Sequence, residues 1–132
     1  MWDKTQYNEN SNFEVLLYET TNGKIPFIDF MDTLSYEMQA KVHKAISYLR
    51  KEGNQIRYPL SRKLLDGVFE LRVIERNNIS RIFYFFYYDK KIVIMNGYIK
   101  KTNKTSSKEL DKAILYKKDW LRRHNNEIWW LS

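Results

Sequence analysis

The residues best able to do chemistry are cations interleaved with aromatic rings in the second half of the chain. Lys63, Arg72, Arg81, Lys100, Lys101 and Lys104 alternate along the sequence with Phe69, Tyr84 and Tyr98. Guanidinium and ammonium groups neutralise phosphates, and aromatic rings stack on unpaired bases, so the mixture suits RNA. Taken alone it reads as nucleic-acid contact and no more. Other reactive sets are not written in the sequence. A Ser–His–Asp arrangement would need His43 or His124, which stand 81 positions apart. Both read as solvated surface side chains. There is no glycine-rich phosphate loop, and the acidic residues do not cluster at divalent-metal spacing. With no cysteine, a disulfide scaffold, a thiolate zinc site and a cysteine nucleophile are excluded. No metal or cofactor is expected.

Charge sharpens the reading. The net charge is +7 over 132 residues. Residues 1–89 hold 12 basic and 12 acidic side chains, whereas residues 90–132 hold 11 basic and 4 acidic, so the whole excess lies in the last third. Such asymmetry points to a polyanionic partner, with a solvated lysine-rich helix face as the plainer reading. No signal peptide and no 18-residue apolar run is present, so a cytoplasmic protein without a membrane span is expected.

The elements that must position these residues follow from periodicity. Residues 1–12 form a polar tail, residues 13–124 a single domain, and residues 125–132 an apolar tail ending Ile128-Trp129-Trp130-Leu131. Phe13–Tyr18 is β-prone. Pro26 opens a helix whose Phe27, Phe30, Met31 and Leu34 share one face. Ser35 caps a second helix, with a stripe of Met38, Val42, Ala45, Ile46 and Leu49 and a stop at Gly53. The short link between them predicts an antiparallel hairpin. Residues 54–65 read as a loop. In Phe69–Val73 the apolar Phe69, Leu71 and Val73 alternate with Glu70 and Arg72. Arg81–Tyr88 reads as a central strand and Ile92–Lys100 as the last, joined by tight turns at Asn77-Asn78 and Asp89-Lys90. Ser106 and Glu109 resemble a capping box before a helix from Ser107 to Arg123, with Leu110, Ala113, Ile114 and Leu121 on one face. The expected class is α+β in the order β-α-α-β-β-β-α. Its sheet is four-stranded and mostly antiparallel, with the helices on one face and Glu70, Arg72, Tyr98 and Lys100 on an open one.

Four ordered blocks then carry a family resemblance: Lys63–Val73, Ser80–Phe85, Tyr98–Thr105 and Lys108–Ala113. Together they resemble the RelE/ParE superfamily of toxins, nearest its HigB-type, phage-derived subgroup. That subgroup runs K-x-L-x-x-G-L-W-E-L-R, then a Y-R-I-x-Y-like strand, then F-x-K-K-T-x-K-T-P and E-I-x-x-A. Phe69 replaces the usual Trp, Ser106 the usual Pro, and Asn96 a common His. The resemblance implies a RelE-like fold and a toxin that cleaves mRNA, usually on the ribosome, without a metal. It also implies a cognate antitoxin, expected to be a helix-turn-helix protein, with DNA engaged only through the antitoxin complex.

In that chemistry the 2′-hydroxyl attacks the adjacent phosphorus, a base takes its proton, an acid protonates the leaving oxygen, and cations steady the extra charge. By resemblance Arg72 and Arg81 hold the phosphate, and their removal should abolish toxicity with the fold intact. Lys100 or Lys101 holds phosphate or acts as the acid. Tyr98, or a lysine of lowered pKa, is the candidate base. Lys63, Phe69, Glu70 and Lys104 complete the RNA-binding set, with Glu70 read as orienting an arginine. The alternatives are a ParE-like inhibitor of DNA gyrase and a catalytically inactive module that holds an antitoxin or RNA. The antitoxin is expected at the last helix, with Trp129 and Trp130 in the contact or in the core.

Overall fold

A computed structural model describes residues 12–100, 102 and 104–124. In chain order the elements are β1 (Glu14–Leu17), α1 (Pro26–Asp32), α2 (Tyr36–Glu52), β2 (Ser61–Lys63), β3 (Phe69–Glu75), β4 (Asn78–Tyr87), β5 (Lys91–Lys100) and α3 (Ser107–His124). The two tails expected at the ends of the chain, with Trp129 and Trp130, fall outside the described residues except at Asn12.

The helical hairpin forms for the reasons its sequence suggests. Pro26 occupies the first turn of α1, where its missing N–H costs nothing. Ser35 caps α2 by accepting the Met38 N–H at 3.1 Å. Met38, Val42, Ile46 and Leu49 are buried along one stripe. Gly53 ends the helix at φ +57, a left-handed conformation that a side chain would disfavour.

The sheet departs from the expectation of four strands. It has five, in the order β1-β5-β4-β3-β2. β1 pairs in parallel with β5, and the other pairings are antiparallel. The added strand, β2, lies within the expected loop. It pairs with β3 through Ser61↔Leu71, Arg62↔Glu70 and Lys63↔Phe69. Asp89 and Lys90 lie in the three-residue connection between the paired Tyr87 and Lys91, and both have positive φ, +61 and +55. The earlier turn sits one residue before its expected place, at Arg76-Asn77, because β4 already begins at Asn78.

Helices cover both faces of the sheet, which corrects the expectation of one open face. On one side Leu71, Val73, Ile82, Tyr84, Ile92 and Ile94 pack against α1 and α2. On the other, Phe83, Phe85, Val93 and Met95 pack against Ala113 and Trp120 of α3. Full burial of each such large apolar side chain contributes roughly 1.5–3 kcal/mol. β4 is therefore apolar on both faces because each faces a helical layer. The face of α3 bearing Leu110, Ala113, Ile114 and Leu121 takes part in this packing, with Ala113 buried and the other three half-buried. Trp120 joins it, and His124 stacks on the Trp120 ring at 3.9 Å rather than standing in solvent. α3 covers only part of its side of the sheet. The strip it leaves, towards β2 and β3, holds the charged residues.

Candidate nucleic-acid interface

Strand register brings the charged residues into two rows on the α3 side. Arg62, Glu70 and Phe83 lie side by side across β2, β3 and β4, and Arg72, Arg81 and Tyr98 across β3, β4 and β5. Side chains directly opposite on one face stand close enough to interact. Glu70 is the hub. Its carboxylate has no solvent exposure. It meets Nη1 of Arg81 at 3.1 Å, Nη2 of Arg62 at 3.7 Å and Nε of Arg72 at 4.0 Å. The Thr105 hydroxyl donates to its second oxygen at 2.9 Å, and Arg62 in turn donates to that hydroxyl at 2.5 Å. The link from β5 to α3 thus closes over the cluster, and the Thr102 carbonyl accepts from Nη2 of Arg81.

This geometry redistributes the roles expected of the site residues. Arg81 is fully buried, with Glu70 and Thr102 as partners, so a phosphate outside the protein does not reach it. Arg72 keeps only 6% of its surface. Its guanidinium lies 5.5 Å from the Tyr58 ring, its Nη1 faces the Pro59 carbonyl at 3.5 Å, and its backbone N–H bonds Leu60 at 2.7 Å. These two arginines hold the β2–β3–β4 corner together. Removing a partner from a buried ion cluster costs about 3–5 kcal/mol because a charge is left unpaired. Arg81→Ala is therefore expected to lower stability as well.

Tyr98 is likewise tied down. Its oxygen accepts the Ser106 N–H at 2.7 Å, next to the start of α3, where the Ser106 hydroxyl accepts the Glu109 N–H at 3.3 Å. Burial pushes the Tyr98 phenol above its ordinary value, against the opposing pull of the Ser106 N–H and Arg81. Through the Ser106 contact Tyr98 anchors the start of α3. Desolvation does lower one lysine, Lys117. Its ammonium contacts the Asp66 carbonyl and lies 5.4 Å from the Phe85 ring, away from the Glu70 partners.

Two RNA-binding candidates separate from the cluster. Lys63 and Phe69 are cross-strand partners and point to the helical-hairpin side. Phe69 stacks on Tyr84 at 5.5 Å and meets Phe86 edge-on at 5.2 Å, so it serves the core. Lys100, half-buried at the end of β5, and Lys104, exposed in the following link, stay beside the cluster. Lys101 falls outside the described residues. The residue that sequence reasoning left out is Arg62, whose guanidinium side chain is 36% exposed. Its Nε is buried without a hydrogen-bond partner among the described residues, so the exposed part of the side chain lies elsewhere. The signal was the alternation of Ser61, Arg62 and Lys63, which is too short to announce a strand.

The rim of this corner presents Arg62 and, beside Arg72, the exposed ring of Tyr58, while Lys100 ends β5 half-buried and Lys104 is exposed next to Thr105 in sequence. Beneath them lies a buried glutamate–arginine scaffold. A mixed sheet between a helical hairpin and a C-terminal helix, with Thr102 and Thr105 rather than a helix closing over this corner, defines an α+β protein broadly consistent with the RelE-like fold. Residues 29–118 match the family described as phage derived protein Gp49-like (DUF891). The chain belongs to that phage-derived family, which is associated with RelE-type, toxin-like proteins. No curated protein matches it significantly. No helix among the described residues is long and apolar enough to cross a membrane.

Proposed function

We propose that this protein is the toxin of a toxin–antitoxin pair, of the HigB type, and that it cleaves mRNA on the ribosome without a metal. The observation that carries the reading is the Glu70 hub, which draws Arg62, Arg72 and Arg81 to one corner of the sheet. Arg62 stands at its rim, with Lys100 half-buried at the end of β5 and Lys104 exposed in the link that follows. A planar guanidinium held at one edge keeps its remaining donors for a phosphate, and Arg62 meets that description. In the reaction the 2′-hydroxyl gives its proton to water and attacks the adjacent phosphorus, forming a 2′,3′-cyclic phosphate as the bond to the 5′ oxygen breaks. Arg62 steadies the non-bridging oxygens as charge builds. Lys100 or Lys104 holds the neighbouring phosphate or protonates the leaving oxygen. Arg72, Arg81 and Glu70 act through Arg62 as positioning residues. Lys101 belongs to the same basic run.

An antitoxin that silences such a surface would offer carboxylates to these cations. A helix-turn-helix antitoxin encoded beside the toxin fits this reading, and the complex would touch DNA through it. The test is to add the purified protein to a translation reaction. Cleaved mRNA is the expected result. Intact mRNA with DNA breaks in the presence of gyrase would replace this reading with a ParE-like one. Neither product would leave a binding module.

A further inference from the structure

We infer that Tyr58 is the base-stacking residue of this surface: its ring receives an unpaired base of single-stranded RNA on the face turned away from Arg72. This assignment rests on the RNA reading above. Cations attract any polyanion, whereas proteins that hold a single strand add aromatic faces on which its bases stack. The rings that composition suggests for that role are taken up inside the protein. Phe69 stacks on Tyr84, and Tyr84 is 1% exposed with its hydroxyl 2.5 Å from that of Ser61. Tyr98 stacks on Phe83 at 5.8 Å, and its oxygen holds the Ser106 N–H. Among the described residues the largely exposed tyrosines are Tyr36, Tyr48, Tyr58 and Tyr88. Tyr36 and Tyr48 belong to α2, on the other side of the sheet, and Tyr88 follows the far end of β4. Tyr58 alone of these stands beside the Glu70 cluster, through Arg72.

The ring is held in place by the corner itself. The guanidinium of Arg72 lies over it, 5.5 Å from its centroid. That arginine is 6% exposed, and its Nε stands 4.0 Å from Oε1 of Glu70, the same oxygen that Nη2 of Arg62 approaches at 3.7 Å. The backbone after the ring is fixed as well. Nη1 of Arg72 faces the Pro59 carbonyl at 3.5 Å, and the Arg72 N–H bonds the Leu60 carbonyl at 2.7 Å. The Ser61 N–H bonds the Arg57 carbonyl at 3.2 Å, which closes the loop around Tyr58. Yet the residue keeps 62% of its surface open, so the guanidinium covers one face of the ring and leaves the other to solvent. A ring already held in its bound position loses little freedom when a base settles on it. Cations flank it along the chain. Arg57 is exposed, with Nη1 donating to the Asn54 carbonyl at 3.0 Å, and Arg62 follows four residues after the ring. A base lying flat on Tyr58 therefore has cationic groups near its sugar–phosphate backbone. Bases paired in a duplex are stacked on their neighbours and offer no free face, so the substrate is an unpaired strand. Every base has a π-face, so the platform selects for single-strandedness rather than for sequence.

The experiment titrates the full-length protein against 2′-O-methylated RNA hexamers, which resist cleavage, with 2-aminopurine placed at each position in turn. The fluorescence of that base falls when it stacks. The parent should bind and quench the probe at one position. Tyr58→Leu, which still covers Arg72, should bind about tenfold more weakly and lose that quench, while Tyr58→Phe keeps both. Melting temperature is read alongside. The slope of log affinity against log salt should be the same in Tyr58→Leu as in the parent, because no phosphate contact is removed. A shallower slope in Tyr58→Leu would show that the ring merely supports the cations, and it overturns the stacking role. Parental affinity and quench in Tyr58→Leu overturn it too and leave the RNA reading standing. Should Tyr58→Leu not fold, Tyr58→Trp decides: the wider ring should tighten binding severalfold, and unchanged affinity overturns the role. Failure of the parent to bind any hexamer overturns the RNA reading and the stacking role together.

Discussion

Two carboxylates in this molecule each gather arginines, and they do so in opposite surroundings. Glu70 sits in the sheet with no exposure and meets Arg72 of its own strand and Arg62 and Arg81 of the two neighbouring strands. Asp119 sits on α3 with 23% of its side chain exposed. It pairs with Arg122 at 2.5 Å and Arg123 at 2.7 Å, three and four residues further along the helix. Tyr18 donates to the same carboxylate at 2.7 Å, and Arg123 also reaches the Glu19 carbonyl at 2.6 Å. The Asp119 cluster fastens α3 to the end of β1. The comparison shows that the same residue types hold structure weakly at a surface and strongly in a core, because solvent screens one set and not the other. Each cluster keeps one cation at its rim, Arg62 beside Glu70 and Arg122 beside Asp119, but the Glu70 set alone lies within the sheet.

The strongest way to break the comparison is to remove a buried partner. Arg81→Ala leaves Glu70 without its closest cation and should lower unfolding stability by about 3–5 kcal/mol, read in urea titration. A loss below about 1 kcal/mol would mean the hub is not held as described. Next in size is an effect on binding alone. Lys100→Ala with Lys104→Ala should leave the melting temperature unchanged and weaken single-stranded RNA binding. The slope of log affinity against log salt should become shallower by about 1.4, roughly 0.7 for each lost phosphate contact. An unchanged slope would take both lysines out of the interface.

The smallest effect belongs to Asp119. The hydrogen bond from Tyr18, with those from Arg122 and Arg123, lowers its carboxyl to about 2 from an ordinary 3.8, against the opposing pull of burial. Between those values the unfolded chain binds more protons than the folded one. The stabilisation is therefore complete above about pH 4 and is lost as pH falls towards 2. Asp119→Asn should cost about 1 kcal/mol or less at neutral pH, and its stability should be flatter than the parent's across that acid window. Parallel pH profiles for the two proteins would show that Asp119 carries no such linkage.

The sequence made some parts of this molecule readable and hid others for identifiable reasons. The helical hairpin was legible because Pro26, Ser35 and Gly53 are local signals acting on adjacent backbone. The β3–β4–β5 meander was legible from alternation and turn residues. β2 was not, since three residues carry no period and the strand exists only by pairing with β3. Arg72, Arg81, Glu70 and Tyr98 were picked out as belonging together, and register places them on one face. Their burial was not legible, because it depends on the Thr102–Ser106 link and on loop 57–60 folding over them. Alternation put Phe69 with Leu71 and Val73, where it lies, yet Phe69 and Lys63 were grouped with the RNA-binding residues by their type. Composition marks an aromatic and a cation as suited to RNA, but strand parity decides which side they take.

The central claim is that the exposed guanidinium of Arg62, held by a buried scaffold, is the group that meets the scissile phosphate. Arg62→Ala removes it while leaving the Arg81–Glu70 pair in place. The deciding measurement is the rate of mRNA cleavage in a translation reaction by this variant and by the parent, at equal folded concentration checked by melting. The account predicts a rate reduced by about 10²–10³-fold, the usual effect of losing one transition-state donor, with thermal stability nearly unchanged. Cleavage by Arg62→Ala at the parental rate would contradict it.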